Sequence, residues 1–133
     1  MSKSTYTDGS HAVLIVDATE QEVTQLRNDM AGWLWFSEDG LSDLDPKPAG
    51  QPIDAVILFA RKNREKRAID VCMRICEKKE MEGIPILIVG NRYQMDLAHA
   101  VRRLPRGDFL FTPINKDKLL DKMKKHVNVS SEE

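Results

Sequence analysis

Short apolar runs recur along the chain and alternate with stretches of helical periodicity, and this alternation limits the fold more than any other feature. Ala12-Val-Leu-Ile-Val16 is a continuous β-branched run closed by Asp17, the pattern of a strand buried on both faces of a parallel sheet. Thr19 and Glu22 then form a capping-box pattern ahead of Val23, Leu26 and Met30 at helical spacing, with Gly32 as the stop. Trp33-Leu-Trp-Phe36 predicts a second strand towards a sheet edge, and residues 41–52, with three prolines and a glycine, leave room for at most one helical turn. Ile53–Phe59 predicts the third strand. The run from Arg61 to Arg67 leads into a long helix whose Ile69, Cys72, Met73 and Cys76 share a face, ended by Gly83. Ile84–Val89 predicts the fourth strand, and Asp96 is expected to cap a short helix bearing Leu97, Val101 and Leu104. Asp108–Phe111 predicts the fifth strand, after the turn at Gly107. Asn115 is expected to cap a last helix with Leu119, Leu120, Met123 and Val127 inward and its lysines in water.

Five strands alternating with helices predict an α/β fold, because parallel crossovers are almost always right-handed and cover both faces of the sheet. The natural candidate is a flavodoxin-like (βα)5 doubly wound parallel sheet, strand order 2-1-3-4-5, its second helix shortened or replaced by loop. The expected organisation is a disordered tail over residues 1–10, one domain over 11–127 and a frayed tail over 128–133. With 133 residues the chain holds one compact domain. Lys+Arg of 20 against Asp+Glu of 21 removes the wholesale basicity that drives non-specific nucleic-acid binding. That balance hides a polarity: residues 1–60 carry 3 basic and 10 acidic side chains (net −7), residues 61–133 carry 17 and 11 (net +6). The apolar runs are far below the roughly 18–20 residues that span a bilayer, and the polar start lacks a secretory pattern, so a cytoplasmic location with no membrane partner is expected. Cys72 and Cys76 are too few for a disulfide framework and are expected as reduced, buried thiols.

In open α/β sheets ligands bind beyond the carboxyl ends of the strands, which here are Asp17-Ala18, Phe59-Ala60, Gly90-Asn91 and Thr112-Pro113. The segments VLIVDATEQ, IDAVILFA, IPILIVG and RGDFLFTPINKDKLLDKM stand in the order and near the spacing of the receiver domain of two-component response regulators, which the chain resembles over about residues 11–127. In that family an acidic pair after the first strand holds Mg²⁺ and an Asp ending the third strand accepts a phosphoryl group. A Ser/Thr after the fourth strand senses that group, and a Lys before the final proline pairs with it. These roles call for oxygen ligands, a carboxylate nucleophile, a hydroxyl donor and a compensating cation. This sequence departs at nearly every position: Asp17 matches the first acid, but Ala18, Phe59, Gly90 and Thr112 stand at the others. Slips of two residues rescue none of them. Asp54 opens its strand about 16 Å from the catalytic end.

The resemblance therefore implies a degenerate, pseudo-receiver domain: not an enzyme, without metal or cofactor, acting through a protein partner such as a signalling component. Its expected contact surface, by analogy with the family, is Leu97, His99, Arg102, Arg103, Phe109, Lys118 and Lys122. Phe109 matches the family's switch aromatic, and with Gly90 opposite, nothing is expected to draw it inward. The resemblance also implies a cis bond before Pro113.

The alternative is a sensor binding a small anion in the vacated pocket, with Arg61, Lys62, Arg64 and Arg92 as its cations. Asp17 alone is a poor cation site and is expected to cap or hydrogen-bond. The three histidines show no partner for base catalysis. Nucleic acid is disfavoured and a homodimer is left open.

Overall fold

The computed structural model describes residues 11–30, 33–38, 52–62, 64–81, 83–104 and 106–127. Its strands are β1 (Ala12–Val16), β2 (Leu34–Glu38), β3 (Ala55–Phe59), β4 (Ile86–Gly90) and β5 (Gly107–Phe111). The helices are α1 (Glu20–Asp29), α2 (Glu65–Glu77), α3 (Met95–Val101) and α4 (Lys116–Val127), with a short 3-10 turn at Lys79–Met81. All strands are parallel and run in the order β2-β1-β3-β4-β5. This is the expected doubly wound order. The proline-rich stretch expected to replace the second helix lies outside the described residues, as do both tails.

The sheet is covered on both faces because its central strands are apolar at every position, so alternate side chains feed two cores. Leu14, Val16, Val56, Leu58 and Ile88 pack beneath α2 and α3 with Ala68, Val71, Ile75, Leu97 and Val101. Val13, Ile15, Ile57, Phe59 and Val89 pack beneath α1 and α4 with Leu26, Met30, Leu119 and Met123. Gly107 is required by close approach: a Cβ there would lie 2.3 Å from the Val101 carbonyl oxygen, where α3 turns into β5.

Local signals hold at both ends of the chain. Thr19 and Glu22 form the reciprocal capping box, Asn115 accepts the Lys118 amide at 3.1 Å, and the Thr112–Pro113 bond is cis. Other expectations are corrected. α3 starts at Met95 behind Gln94, which makes no side-chain capping bond, while Asp96 lies inside the first turn. α2 buries Ala68, Val71, Cys72 and Ile75, leaving Ile69 and Met73 exposed with Cys76. Two neighbouring stripes share the helical period there, and the one with the smaller residues faces the sheet. Burial pushes the Cys72 thiol up to about 12, with a smaller contribution from Cys76, so this thiol stays neutral. The Val127 side chain lies outside the described set.

The lysines of α4 are not all in water. Lys122 Nζ contacts both Asp108 carboxylate oxygens at 3.1 Å, and His126 Nε2 lies 3.0 Å from Asp108 Oδ2. Burial alone would raise the Asp108 carboxyl. Hydrogen bonds from His126, the Phe109 amide and Lys122 outweigh it, and the carboxyl sits at about 2. A carboxylate held below its unfolded value stabilises the fold above that value and loses the effect as pH falls through the folded one. Between about pH 4 and 2 the protein should therefore lose roughly 1–2 kcal/mol at this site. Urea midpoints at pH 6 and pH 3 should show a smaller difference in Asp108→Asn than in the parent. An equal difference would assign the acid sensitivity elsewhere.

Candidate functional site

The carboxyl ends of β1, β3 and β4 converge on residues that fill the space rather than leave it open. Asp17 follows β1 with φ of 63°, a left-handed conformation that Asp tolerates better than most residues. Its carboxylate receives a two-pronged bond from Arg67 of α2, Nε to Oδ2 at 3.0 Å and Nη2 to Oδ1 at 2.7 Å. The planar fork of arginine suits a carboxylate in this way. Of the two roles expected for Asp17 the hydrogen-bonding one holds, within an ion pair to Arg67, and the cap of α1 is Thr19. Ala18 stands beside it, half-buried against the α1 and α4 core.

Arg61 completes a second pair. Its Nη1 donates to Glu22 Oε2 at 2.9 Å, its Nη2 bonds Glu22 Oε1, and the same Nη2 reaches the Asp17 carbonyl oxygen at 2.7 Å. Burial would raise the Glu22 carboxyl, but bonds from Arg61 and Thr19 prevail and hold it below the ordinary range. The bond to Glu22 in turn raises Arg61, with charge attraction from Glu22 and Asp17 adding to it. The Arg61 guanidinium also lies 5.3 Å from the centre of the Phe59 ring. Phe59 closes β3, 3% exposed, within the core beneath α1 and α4. What remains is a cavity of about 200 Å³ lined by Asp17, Phe59, Arg61, Arg64, Arg67 and Ala68.

Gly90 ends β4, and two side chains occupy the volume a larger residue would take. A Cβ on Gly90 would fall 2.5 Å from Gln94 Oε1 and 2.7 Å from Phe109 Cζ. Gln94 is 5% exposed; it accepts the Asn91 amide at 2.9 Å and donates to Glu65 at 2.8 Å. Phe109 is 1% exposed, so the expectation that nothing draws its ring inward is corrected: the missing side chain at Gly90 supplies the space. Leu97 and Phe109 are both buried, whereas His99, Arg102, Arg103 and Lys118 are exposed and Lys122 is committed to Asp108.

Of the four cations expected to share one anion site, Arg61 and Arg64 line the same cavity, Arg61 with its charge balanced by Glu22 and Arg64 exposed, while Lys62 is exposed outside the lining described for it. Arg92 lines a separate cavity of about 560 Å³ with Arg102, Phe109, Leu110, Phe111 and Lys118, beside Thr112. Among the described residues no group of three or more His, Cys, Asp or Glu could hold a metal ion. The donor set does not fit a hard divalent cation, since Arg67 forks the single carboxylate and Ala18 beside it offers no side-chain oxygen. Sequence reasoning missed Glu22, Arg67 and Gln94 as site residues. The basic run ending at Arg67 was visible, but its pairing with Asp17 spans 50 residues.

No family model and no curated relative matches the sequence. Solved structures do match. The N-terminal signal receiver domain of a two-component response regulator from Bacteroides fragilis is 15% identical, with a TM-score of 0.73 over 88% of this chain and 96% of that one. A response regulator receiver domain protein from Clostridium thermocellum is 13% identical, with a TM-score of 0.70 over 91% and 97%. A receiver-modulated diguanylate cyclase structure from Pelobacter carbinolicus is 20% identical, with a TM-score of 0.67 over 91% and 95%. At these identities the likeness establishes a receiver-type fold. No helix among the described residues is long and apolar enough to cross a membrane.

Proposed function

We propose that this chain is a receiver-like signalling module that works through protein contacts without accepting a phosphoryl group. The observation that carries the proposal is Phe59, a buried aromatic at the strand end where phosphoryl transfer would need a carboxylate nucleophile. The Arg67 fork on Asp17 supports the same reading, because it places a fixed positive charge where a hard cation would be needed. Phe109, held under the space left by Gly90, supports a contact face set by packing rather than by a modification. The exposed side chains of His99, Arg102, Arg103 and Lys118 belong to that face in this reading. The anion-sensor alternative draws no support from Arg61, whose charge is already balanced by Glu22.

Incubation with acetyl phosphate and Mg²⁺, followed by intact-protein mass, is expected to show only the unmodified species. A gain of one phosphoryl group, removed by hydroxylamine and mapped to an aspartate, would overturn the proposal.

A further inference from the structure

The outer face of α2 carries an exposed apolar row. The helix buries Ala68, Val71, Cys72 and Ile75 against the sheet, whereas Ile69 and Met73 are 37% and 49% exposed and Cys76 is exposed with them. Spacings of four and three residues align these three side chains along the helix. Lys66, Asp70, Arg74 and Glu77 are exposed too, and spacings of four, four and three set them in a second row beside Met73. Among the described residues the side chains of Lys66, Asp70 and Glu77 have no hydrogen-bond or ion-pair partner.

We propose that α2 pairs antiparallel with α2 of a second copy of this chain, about a two-fold axis level with the midpoint between Val71 and Cys72. A two-fold contact is made by one patch with itself, so every pair of facing side chains occurs twice and the patch must be self-complementary. The two rows of α2 meet that demand. In antiparallel packing, positions equally far from the midpoint on its opposite sides face one another, and the charged row of one copy lies against that of the other. Lys66 then faces the partner's Glu77, Asp70 comes beside the partner's Arg74, and Ile69 packs on the partner's Met73. A parallel pairing would instead set Lys66 on Lys66 and Asp70 on Asp70, and like charges so placed repel. The charge row therefore selects both the occupant and its direction. So short an apolar row places the dimer at the weak end of specific contacts. The proposal goes beyond the signalling reading above and does not depend on whether the chain accepts a phosphoryl group.

Sedimentation equilibrium of the full chain tests it. Between about 10 µM and 1 mM the average mass should rise from one chain towards two. Lys66→Glu and Glu77→Lys should each weaken the dimer roughly tenfold, because each sets like charges opposite one another twice. The combined Lys66→Glu/Glu77→Lys chain should return to within about threefold of the parent, since the swap restores opposite charges. Met73→Asp should stay a single chain throughout, with circular dichroism unchanged. Lys118→Glu/Lys125→Glu, on the helix across the sheet, should alter dimerisation less than about twofold. A single chain at every concentration, a combined swap no stronger than its single variants, or a dimer that survives Met73→Asp would each overturn the proposal. So would loss of the dimer in the α4 variant, which would place the contact on the other face. The charge swap decides even where Met73→Asp fails to fold, since both its positions are exposed.

Discussion

Arg67→Ala is expected to lower folding stability by about 2–3 kcal/mol, because it leaves the Asp17 carboxylate without its guanidinium fork in a partly dry site. The Asp17 side chain is 11% exposed and that of Arg67 25%, so water cannot fully replace the lost bonds. Asp17→Ala should cost less than Arg67→Ala, since the guanidinium it leaves behind is the more exposed partner, although alanine is strained in the left-handed backbone there. The double variant should be clearly less destabilised than the two single losses added together, which is the signature of a direct pair. Urea unfolding of the four proteins measures each quantity. Additive losses would mean that the pair is geometrically close but energetically independent.

Gly90→Thr is expected to cost roughly 1–3 kcal/mol and to move the Phe109 ring, because the new side chain needs volume already filled. The closest obstacles are the far ends of side chains, Gln94 Oε1 and Phe109 Cζ, so relief comes by rotation rather than by breaking the strand. Phe109 is the larger obstruction and has the exposed Phe111 edge as its neighbour on the outward path. The variant should therefore show a lower urea midpoint and a greater solvent exposure of Phe109 by NMR or crystallography. A threonine accommodated with the ring still buried would show that the inward position does not depend on the glycine.

Much of the fold was legible because its signals are local. Each central strand is a run of apolar residues, the Thr19 box and the Asn115 cap act within three residues, and alternation with right-handed crossovers narrows the strand order to a few doubly wound candidates. α2 shows the limit of that approach. Ile69, Cys72, Met73 and Cys76 satisfy the helical period, but so do Ala68, Val71, Cys72 and Ile75, and only packing against the sheet selects the latter. The residues at the strand ends were legible, but not how they pair. Arg67 reaches Asp17 across 50 positions and Arg61 reaches Glu22 across 39, and no sequence period encodes either pair. The place of Phe109 escapes the sequence for a related reason: Gly90 offers no group to attract the ring, but in three dimensions it is also room for it.

In the proposed reading, packing alone sets the face formed by α3, β5 and α4. Amide ¹H–¹⁵N correlation spectra of the full chain, recorded before and after addition of acetyl phosphate with Mg²⁺, test it most directly. The amides of Gly90, Arg102, Phe109, Phe111 and Lys118 are expected to keep their positions, apart from uniform salt effects on exposed groups. A coherent displacement of these resonances that decays as the donor is exhausted would contradict it, because the face would then be under phosphoryl control after all.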